Sequence, residues 1–210
     1  MWFGKEIQKM PLSSTTNPVT KAQLLKKEAG KIKKCKECKE GKLGLAVPGE
    51  GNPAARIVFI GEAPGKEEAK TGRPFVGRSG KFLRSLIAGI GLKDKDVYIT
   101  SPVKYLPLKG TPSEADIAHG ATHLLRQIEI IQPELMVLLG NVAAKACLPA
   151  GRALLKNQVK ISKDHGKVFK QNNKIYFLTF HPAAAVRFQK IKILIEEDFK
   201  KLKRLMTGLN

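Results

Sequence analysis

Short apolar runs that alternate with helical patterns constrain the fold of this chain more than any other feature. The runs have the length of buried strands, and they cover residues 57–60, 97–100, 135–139, 167–169 and 175–178. Helical patterns cover residues 20–34, 80–90 and 111–131, begin again at Asn141, and return at 190–206. Strands and helices that alternate through short links form a parallel sheet with helices on both faces. The sequence therefore predicts an α/β fold, in which the loops that follow the strands meet at one crevice.

The chain has 210 residues, enough for one such domain with a substantial core. We predict a loose polar tail over residues 1–19 and a single domain over residues 20–210. No apolar run is long enough to span a bilayer and the start has no signal-peptide pattern, so we expect a cytoplasmic protein without a membrane partner. The net charge of +20 favours a polyanion, most often nucleic acid, over a lysine-rich surface that serves only solubility.

The loop "GEAPGKEEAKTGRPFVGRSG", residues 61–80, follows the first apolar run. Its glycines allow a ligand to approach the backbone closely. It has neither the Gly-Lys-Ser/Thr of a Walker A loop nor the spacing of a dinucleotide fingerprint. Glu62 stands where a functional carboxylate of the crevice belongs, or else it satisfies N–H groups of its own loop. Phe75 is either a plug beneath the loop or a platform for a planar ligand.

Histidines are the other candidates for chemistry. His181, in "FHPAAAVR", follows the last strand and precedes Pro182, so it lies outside a regular helix. Such a histidine either donates to a developing anion or is structural. Arg187 is a phosphate contact or a surface arginine. His119 and His123 have the spacing of metal ligands on a helix, but no glutamate of a zinc-protease pattern accompanies them, so we interpret them as residues of a surface or helix face.

Six segments together resemble the family 4 uracil-DNA glycosylases, in the same order and at the same spacing. They are "VPGEGNP", "FIGEAPGKEE", "TGRPFVGRSGKFL", "VYIT", "LLGNVAAKAC" and "FHPAAAVR". The resemblance covers the chain from about Cys35 to Leu202. It implies a three-layer α/β/α sandwich around a central four-stranded parallel sheet. It also implies that the substrate is DNA with uracil or another deaminated base, which leaves the base stack before it is removed. A monomer is the expected state.

The resemblance also assigns roles to residues of the two unusual loops. Glu62 would orient or activate the attacking water, or stabilise positive charge on the sugar. His181 would hydrogen-bond the carbonyl oxygen of the departing base, and Phe75 would stack on that base. Further residues expected to line the base pocket are Gly61, Ala63, Gly65 and Glu68. Residues expected to contact DNA are Ala184, Ala185 and Arg187.

Ser101 departs from the family pattern. The resemblance places an asparagine here, whose amide reads the edge of uracil with a donor and an acceptor. A serine hydroxyl is shorter and cannot make both contacts. We therefore expect Ser101 to face the base in a pocket that is weaker, broader or retuned to another deaminated base.

The cysteines depart from the family as well, because the family carries a [4Fe–4S] cluster on four of them. Cys35 and Cys38 match the first two ligands, but Tyr105 and Gly120 occupy the other two ligand positions. Two ligands do not hold a cluster, so we expect no iron–sulfur centre. We interpret the Cys35–Cys38 pair as a vestige, a zinc site or a redox site.

The leading hypothesis is a monofunctional DNA glycosylase of base excision repair, a hydrolase that cleaves the N-glycosidic bond of uracil and leaves an abasic site. One alternative is a glycosylase for hypoxanthine or xanthine. The other is a lesion-binding module with little turnover.

Overall fold

The computed structural model describes residues 19–148 and 159–208. The tail predicted over residues 1–19 lies, apart from Val19, outside the described residues. The helices are α1 (Lys21–Lys34), α2 (Lys36–Lys39), α3 (Lys66–Thr71), α4 (Arg78–Gly89), α5 (Glu114–Ile131), α6 (Asn141–Cys147), α7 (Ile161–Asp164), α8 (Pro182–Arg187) and α9 (Gln189–Thr207). The strands are β1 (Lys42–Leu43), β2 (Glu50–Gly51), β3 (Ile57–Ile60), β4 (Val97–Thr100), β5 (Leu106–Pro107), β6 (Leu135–Leu139), β7 (Val168–Gln171) and β8 (Lys174–Thr179).

The main sheet has six strands in the order β2-β4-β3-β6-β8-β7. Its four central strands, β4, β3, β6 and β8, run parallel, which confirms the central four-stranded parallel sheet. The edge strands β2 and β7 pair antiparallel with their neighbours and widen the sheet. Strand β7 was predicted, whereas β2 has only two residues within a stretch of glycine and proline and shows no strand pattern.

Alternate residues of the central strands face opposite sides of the sheet, and each side is covered by helices. On one side Val58, Ile60 and Met136 pack with apolar residues of α1, α5 and α6. On the other side Phe59 and Val137 pack with apolar residues of α4, α8 and α9. The described chain is therefore a three-layer α/β/α sandwich, as predicted. No helix in the described ranges is both long enough and apolar enough to cross a membrane.

Three helix starts differ from the sequence-based expectation. Helix α5 begins at Glu114 rather than at residue 111, because Ser113 caps it. Helix α4 begins at Arg78 rather than at Gly80, because Gly77 caps it in an extended conformation. Asn141 was expected to cap α6, but Gly140 is the cap and Asn141 is the first helical residue. The Asn141 side chain instead accepts a hydrogen bond from the Ile161 N–H at 3.0 Å, so it joins α6 to α7.

Candidate active site and a cysteine–histidine cluster

A crevice of about 470 Å³ lies at the carboxyl ends of the parallel strands. The loops that follow β3, β4 and β8 line it, as expected where parallel strands end at one edge of a sheet. Its volume is within the usual range for a small-molecule pocket. The predicted site residues that line it are Glu62, Ala63, Gly65, Glu68, Phe75, Ser101, His181, Ala184 and Arg187.

Glu68 organises the loop that follows β3. Its buried carboxylate accepts hydrogen bonds from the N–H groups of Gly65, Val76 and Gly77, at 3.1, 2.8 and 2.8 Å. Gly65 and Gly77 are the capping residues of α3 and α4, so one carboxylate holds both helix starts together. A carboxylate at two helix N-termini is also stabilised by the helix dipoles.

Phe75 is held in an unusual conformation at the centre of the crevice. Its φ of 52° lies in the left-handed region, which residues other than glycine rarely adopt. Two glycines make room for it. A Cβ at Gly80 would stand 2.1 Å from the Phe75 carbonyl carbon, and one at Gly61 would stand 2.6 Å from the ring atom Cζ. The Phe75 ring therefore lies directly over the backbone of Gly61, and Gly61, which was predicted to line the base pocket, is not among the residues that line the crevice.

Glu62 supplies a half-buried carboxylate to the crevice, and burial raises its pKa. The carboxylate makes no hydrogen bond or ion pair with any residue that the structure describes. Its backbone is fixed nonetheless, since the Glu62 carbonyl accepts from the Val103 N–H at 3.4 Å. The carboxylate is therefore available to a ligand, whereas Glu68, not Glu62, satisfies the N–H groups of the loop.

His181 contributes a buried hydrogen-bond donor. Its Nδ1 accepts a hydrogen bond from the Ala183 N–H at 3.2 Å, which places the proton of the neutral ring on Nε2. Nε2 is buried and has no hydrogen-bond partner in the described chain. Burial lowers the pKa of His181 to about 4, although the Glu68 carboxylate opposes that shift. The ring is therefore neutral at physiological pH. Its Nε2–H, which has no acceptor among the described residues, can donate a hydrogen bond to a ligand. The ring centroids of His181 and Phe75 are 5.8 Å apart.

Ser101 lies at the end of β4 and lines the crevice, where the sequence predicts it. It is 6% exposed, and its hydroxyl donates a hydrogen bond to the Val103 carbonyl at 2.8 Å. Since a hydroxyl has a single proton, Ser101 offers a ligand only its lone pairs.

The rim beyond His181 holds the residues that were predicted to contact DNA. Arg187 is exposed, but Ala185 is 4% exposed and packs in the core against α9, so its side chain cannot contact DNA. Phe188, which the sequence reasoning missed, lines the crevice and is 61% exposed. The signal available in the sequence was the aromatic residue that directly follows Arg187 in "AVRF". Exposed cations at Lys66 and Arg78 adjoin other residues of the crevice.

A second group of chemically active side chains lies where α2 meets α5. Cys35, Cys38, His119 and His123 bring one nitrogen or sulfur atom each within 4.8 Å of one another. Burial raises the pKa of the Cys35 thiol, but hydrogen bonds with His123, the Cys38 N–H and His119 outweigh it and lower the pKa to about 6. The interpretation of His119 and His123 as residues of a surface face is therefore corrected. Their side chains are 24% and 14% exposed, and both face the cysteines.

Comparison with known proteins places these features in a family. The profile described as the uracil DNA glycosylase superfamily matches residues 48–203. The chain is 41% identical over 188 residues to the type-4 uracil-DNA glycosylase of Sulfurisphaera tokodaii, covering 86% of this chain and 84% of that one. It is 40% identical over 187 residues to the type-4 enzyme of Saccharolobus solfataricus, with coverage of 86% and 85%. Over 192 residues it is 38% identical to the type-4 enzyme of Thermotoga maritima, with coverage of 88% and 95%.

Proposed function

Because this chain belongs to the uracil-DNA glycosylase superfamily, and within it to the type-4 enzymes, we propose that it removes uracil from DNA by hydrolysis. The reaction leaves an abasic site, the first intermediate of base excision repair. One observation carries the proposal. Within the described parts of the chain, the buried Nε2–H of His181 has no hydrogen-bond partner, and it lies in the same crevice as the Glu62 carboxylate. The relatives' names favour uracil over hypoxanthine or xanthine as the substrate base.

His181 stabilises the leaving group in this proposal. When the bond between C1′ and N1 breaks, its electron pair moves to the base, and N1 and the carbonyl oxygens share the negative charge. A neutral Nε2–H can donate to such an oxygen without first losing a hydrogen bond to any residue that the structure describes. Preorganised donors of this kind contribute more to the transition state than to the ground state.

Glu62 acts on the other half of the reaction. As the base departs, the sugar gains oxocarbenium character, and a nearby carboxylate stabilises that positive charge. Water then forms a bond to C1′, and the carboxylate can accept the proton that the water loses. The raised pKa of Glu62 makes it a better proton acceptor than an exposed glutamate.

Phe75 and the rim would hold the DNA. The Phe75 ring offers a face on which a base that has left the helical stack can rest. Exposed Phe188 would occupy the gap left by that base, and exposed Arg187 would contact the adjacent phosphates. The net charge of +20 supplies sequence-independent attraction to DNA.

We also propose that the protein works in the cytoplasm and acts as a monomer. An enzyme that acts on DNA must share the compartment of its substrate, which is the cytoplasm in a prokaryote, with the nucleoid as its site of work. Glu62 and His181 of one chain line the same crevice, so a monomer carries both proposed catalytic groups.

The decisive experiment is base release from oligonucleotides that carry one uracil, hypoxanthine, xanthine or normal base. Released base is detected as strand cleavage after alkali, under single-turnover conditions. We expect uracil to be excised, and Glu62→Gln and His181→Ala each to slow excision by about 10²-fold or more with DNA affinity nearly unchanged.

Glu67→Gln is the matched control, because Glu67 is an exposed acid of the same loop and pairs only with Lys70. It should retain the wild-type rate. Turnover of hypoxanthine or xanthine without uracil would contradict the proposed substrate. Binding without any base release would point to a lesion-binding module. Full activity in either active-site variant would remove that residue from the mechanism.

A further inference from the structure

The cysteine–histidine cluster does not fit the [4Fe–4S] centre that the family resemblance implies. Such a centre needs four thiolates, and this chain has three cysteines in all. The third, Cys147, is 7% exposed within the core between the sheet and α1, α5 and α6, and it does not belong to the cluster. A four-cysteine cluster therefore cannot form on this chain.

Tyr105 and Gly120, at the two positions where the family resemblance implies cysteine ligands, both have packing roles in this structure. Tyr105 is 3% exposed, packs with Ile32 and Cys38, and donates its hydroxyl to the Lys33 carbonyl at 3.2 Å. Gly120 lies so close to the preceding loop that a Cβ would stand 2.3 Å from the Pro102 carbonyl oxygen. Position 120 therefore has no room for a thiolate ligand without rearrangement, and position 105 is occupied by a side chain that cannot supply one.

His119 and His123 lie on either side of Gly120 in the sequence of α5, close to Cys35 and Cys38. We propose that Cys35, Cys38, His119 and His123 bind one zinc ion in place of an iron–sulfur cluster. Two thiolates and two imidazoles are a standard tetrahedral set for structural zinc. Zinc–ligand bonds of about 2.0–2.3 Å in a tetrahedron require ligand atoms about 3.3–3.8 Å apart. The Cys35 sulfur already lies 3.2 Å from Nε2 of His119, and all four ligand atoms lie within 4.8 Å of one another.

Two glutamates orient the histidines for this role. Nδ1 of His119 lies 2.9 Å from a carboxylate oxygen of Glu37, and Nδ1 of His123 lies 2.7 Å from one of Glu28. A carboxylate that accepts the Nδ1 proton leaves the lone pair of Nε2 free to bind a metal. This carboxylate–histidine arrangement is typical around protein zinc sites. Glu28 is 4% exposed, so the carboxylate that orients His123 is itself buried, and it also pairs with Lys31 at 3.6 Å.

The ion would be structural. Cys35 and Cys38 flank the short helix α2, whereas both histidines lie on α5, so zinc would join the N-terminal helices to the body of the domain. All four positions would be taken by protein, which leaves no open site for water or substrate. Glu62 and His181 are not part of the cluster, and the base-release chemistry does not require the metal.

Metal content of the wild-type protein tests the proposal first. Protein purified without chelator from zinc-supplemented cells should contain one zinc per chain and no stoichiometric iron or sulfide. Cobalt(II) added to the metal-free protein should give the strong visible bands of tetrahedral coordination, with thiolate charge transfer. Removal of the metal should lower the melting temperature, and zinc should restore it.

The double variant His119→Ala/His123→Ala should lose the bound zinc, whereas Cys147→Ala should keep it. Cys147→Ala is the matched control, because it removes a buried cysteine outside the cluster. If the double variant does not fold, the wild-type metal content and cobalt spectrum decide alone. Four irons and four sulfides per chain, wild-type protein without stoichiometric zinc, or zinc retained by a folded double variant would overturn the proposal.

Discussion

The only hydroxyl proton of Ser101 is engaged in a hydrogen bond within the protein, and this limits the base atoms that Ser101 can recognise. The hydroxyl donates to the Val103 carbonyl, so only lone pairs face the crevice. Uracil presents an N–H between two carbonyl oxygens, and a lone pair can accept from the N–H but cannot donate to an oxygen. At this position an asparagine, as the resemblance implies for the family, would supply both an acceptor and a donor.

We therefore expect Ser101→Asn to raise the single-turnover rate on uracil relative to hypoxanthine by about 10-fold, or about 1.4 kcal/mol, the scale of one good hydrogen bond. Ser101→Ala is the control and should not raise the ratio, because it adds no donor. The measurement is the excision rate of both bases by all three proteins. An unchanged ratio in Ser101→Asn would mean that specificity comes from Phe75 and the backbone of residues 61–65.

Single residues were predictable where a local motif carries them. Glu62, Phe75 and His181 stand in two short stretches, and the structure brings all three to one crevice. The pairing of His119 and His123 with Glu37 and Glu28 was not predictable, because these partners are more than 80 residues apart and meet only through the packing of α1 and α2 on α5. Burial of Ala185 was equally hidden, since a run of alanines does not show which one faces the core.

The element that depends most on one side chain is the loop between β3 and α4. Glu68→Ala would leave the N–H groups of Gly65, Val76 and Gly77 without their acceptor. Charge-assisted hydrogen bonds each contribute about 1.5–3 kcal/mol, and water replaces part of that loss. We expect the free energy of unfolding to fall by about 2–4 kcal/mol in total. The excision rate should fall as well, because Phe75 loses its support.

Urea unfolding and the single-turnover rate of the same variant test this expectation. Glu67→Ala is the neighbouring control, and it should change stability by no more than about 0.5 kcal/mol because Glu67 makes only an exposed ion pair. Equal stability of the two variants would mean that the loop is held by other contacts.

Most elements were predictable because their patterns are long or strongly apolar. The central strands, α1 and α9 lie within one or two residues of their expected bounds, and α5 begins three residues later than expected. The left-handed pair Asn172 and Asn173, with φ of 50° and 58°, forms the predicted turn between β7 and β8. Strands β1, β2 and β5 have two residues each, which is too short for a sequence pattern. They are recognised as strands only by their pairing with neighbouring strands.

For the molecule as a whole, the buried neutral ring of His181 links folding to pH. Burial lowers its pKa to about 4, from 6.5 in a solvated histidine. Between these values the unfolded chain binds a proton that the folded chain does not. Stability from this group is therefore complete above about pH 6.5 and declines as the pH falls to about 4, by roughly 3 kcal/mol in total.

The contribution can be isolated by urea unfolding of the wild type and His181→Asn from pH 7.5 to pH 4. Other groups titrate in both proteins, so the difference between the two curves reports His181. We expect the wild type to lose stability faster than the variant as the pH falls. Parallel curves would mean that the pKa of His181 is the same in the folded and the unfolded chain, and that burial does not hold the ring neutral.

Gly120 sets a steric limit on the residues that position 120 can accept. A cysteine there would collide with the backbone at Pro102, so a thiolate at this position requires the substitution and a shift of the loop next to Ser101 together. Gly120→Cys alone is therefore expected to give a weakened or misfolded protein, whatever metal it binds. Positions 102 and 120 are thus expected to be epistatic, because a side chain at position 120 is tolerated only when the loop at Pro102 changes with it.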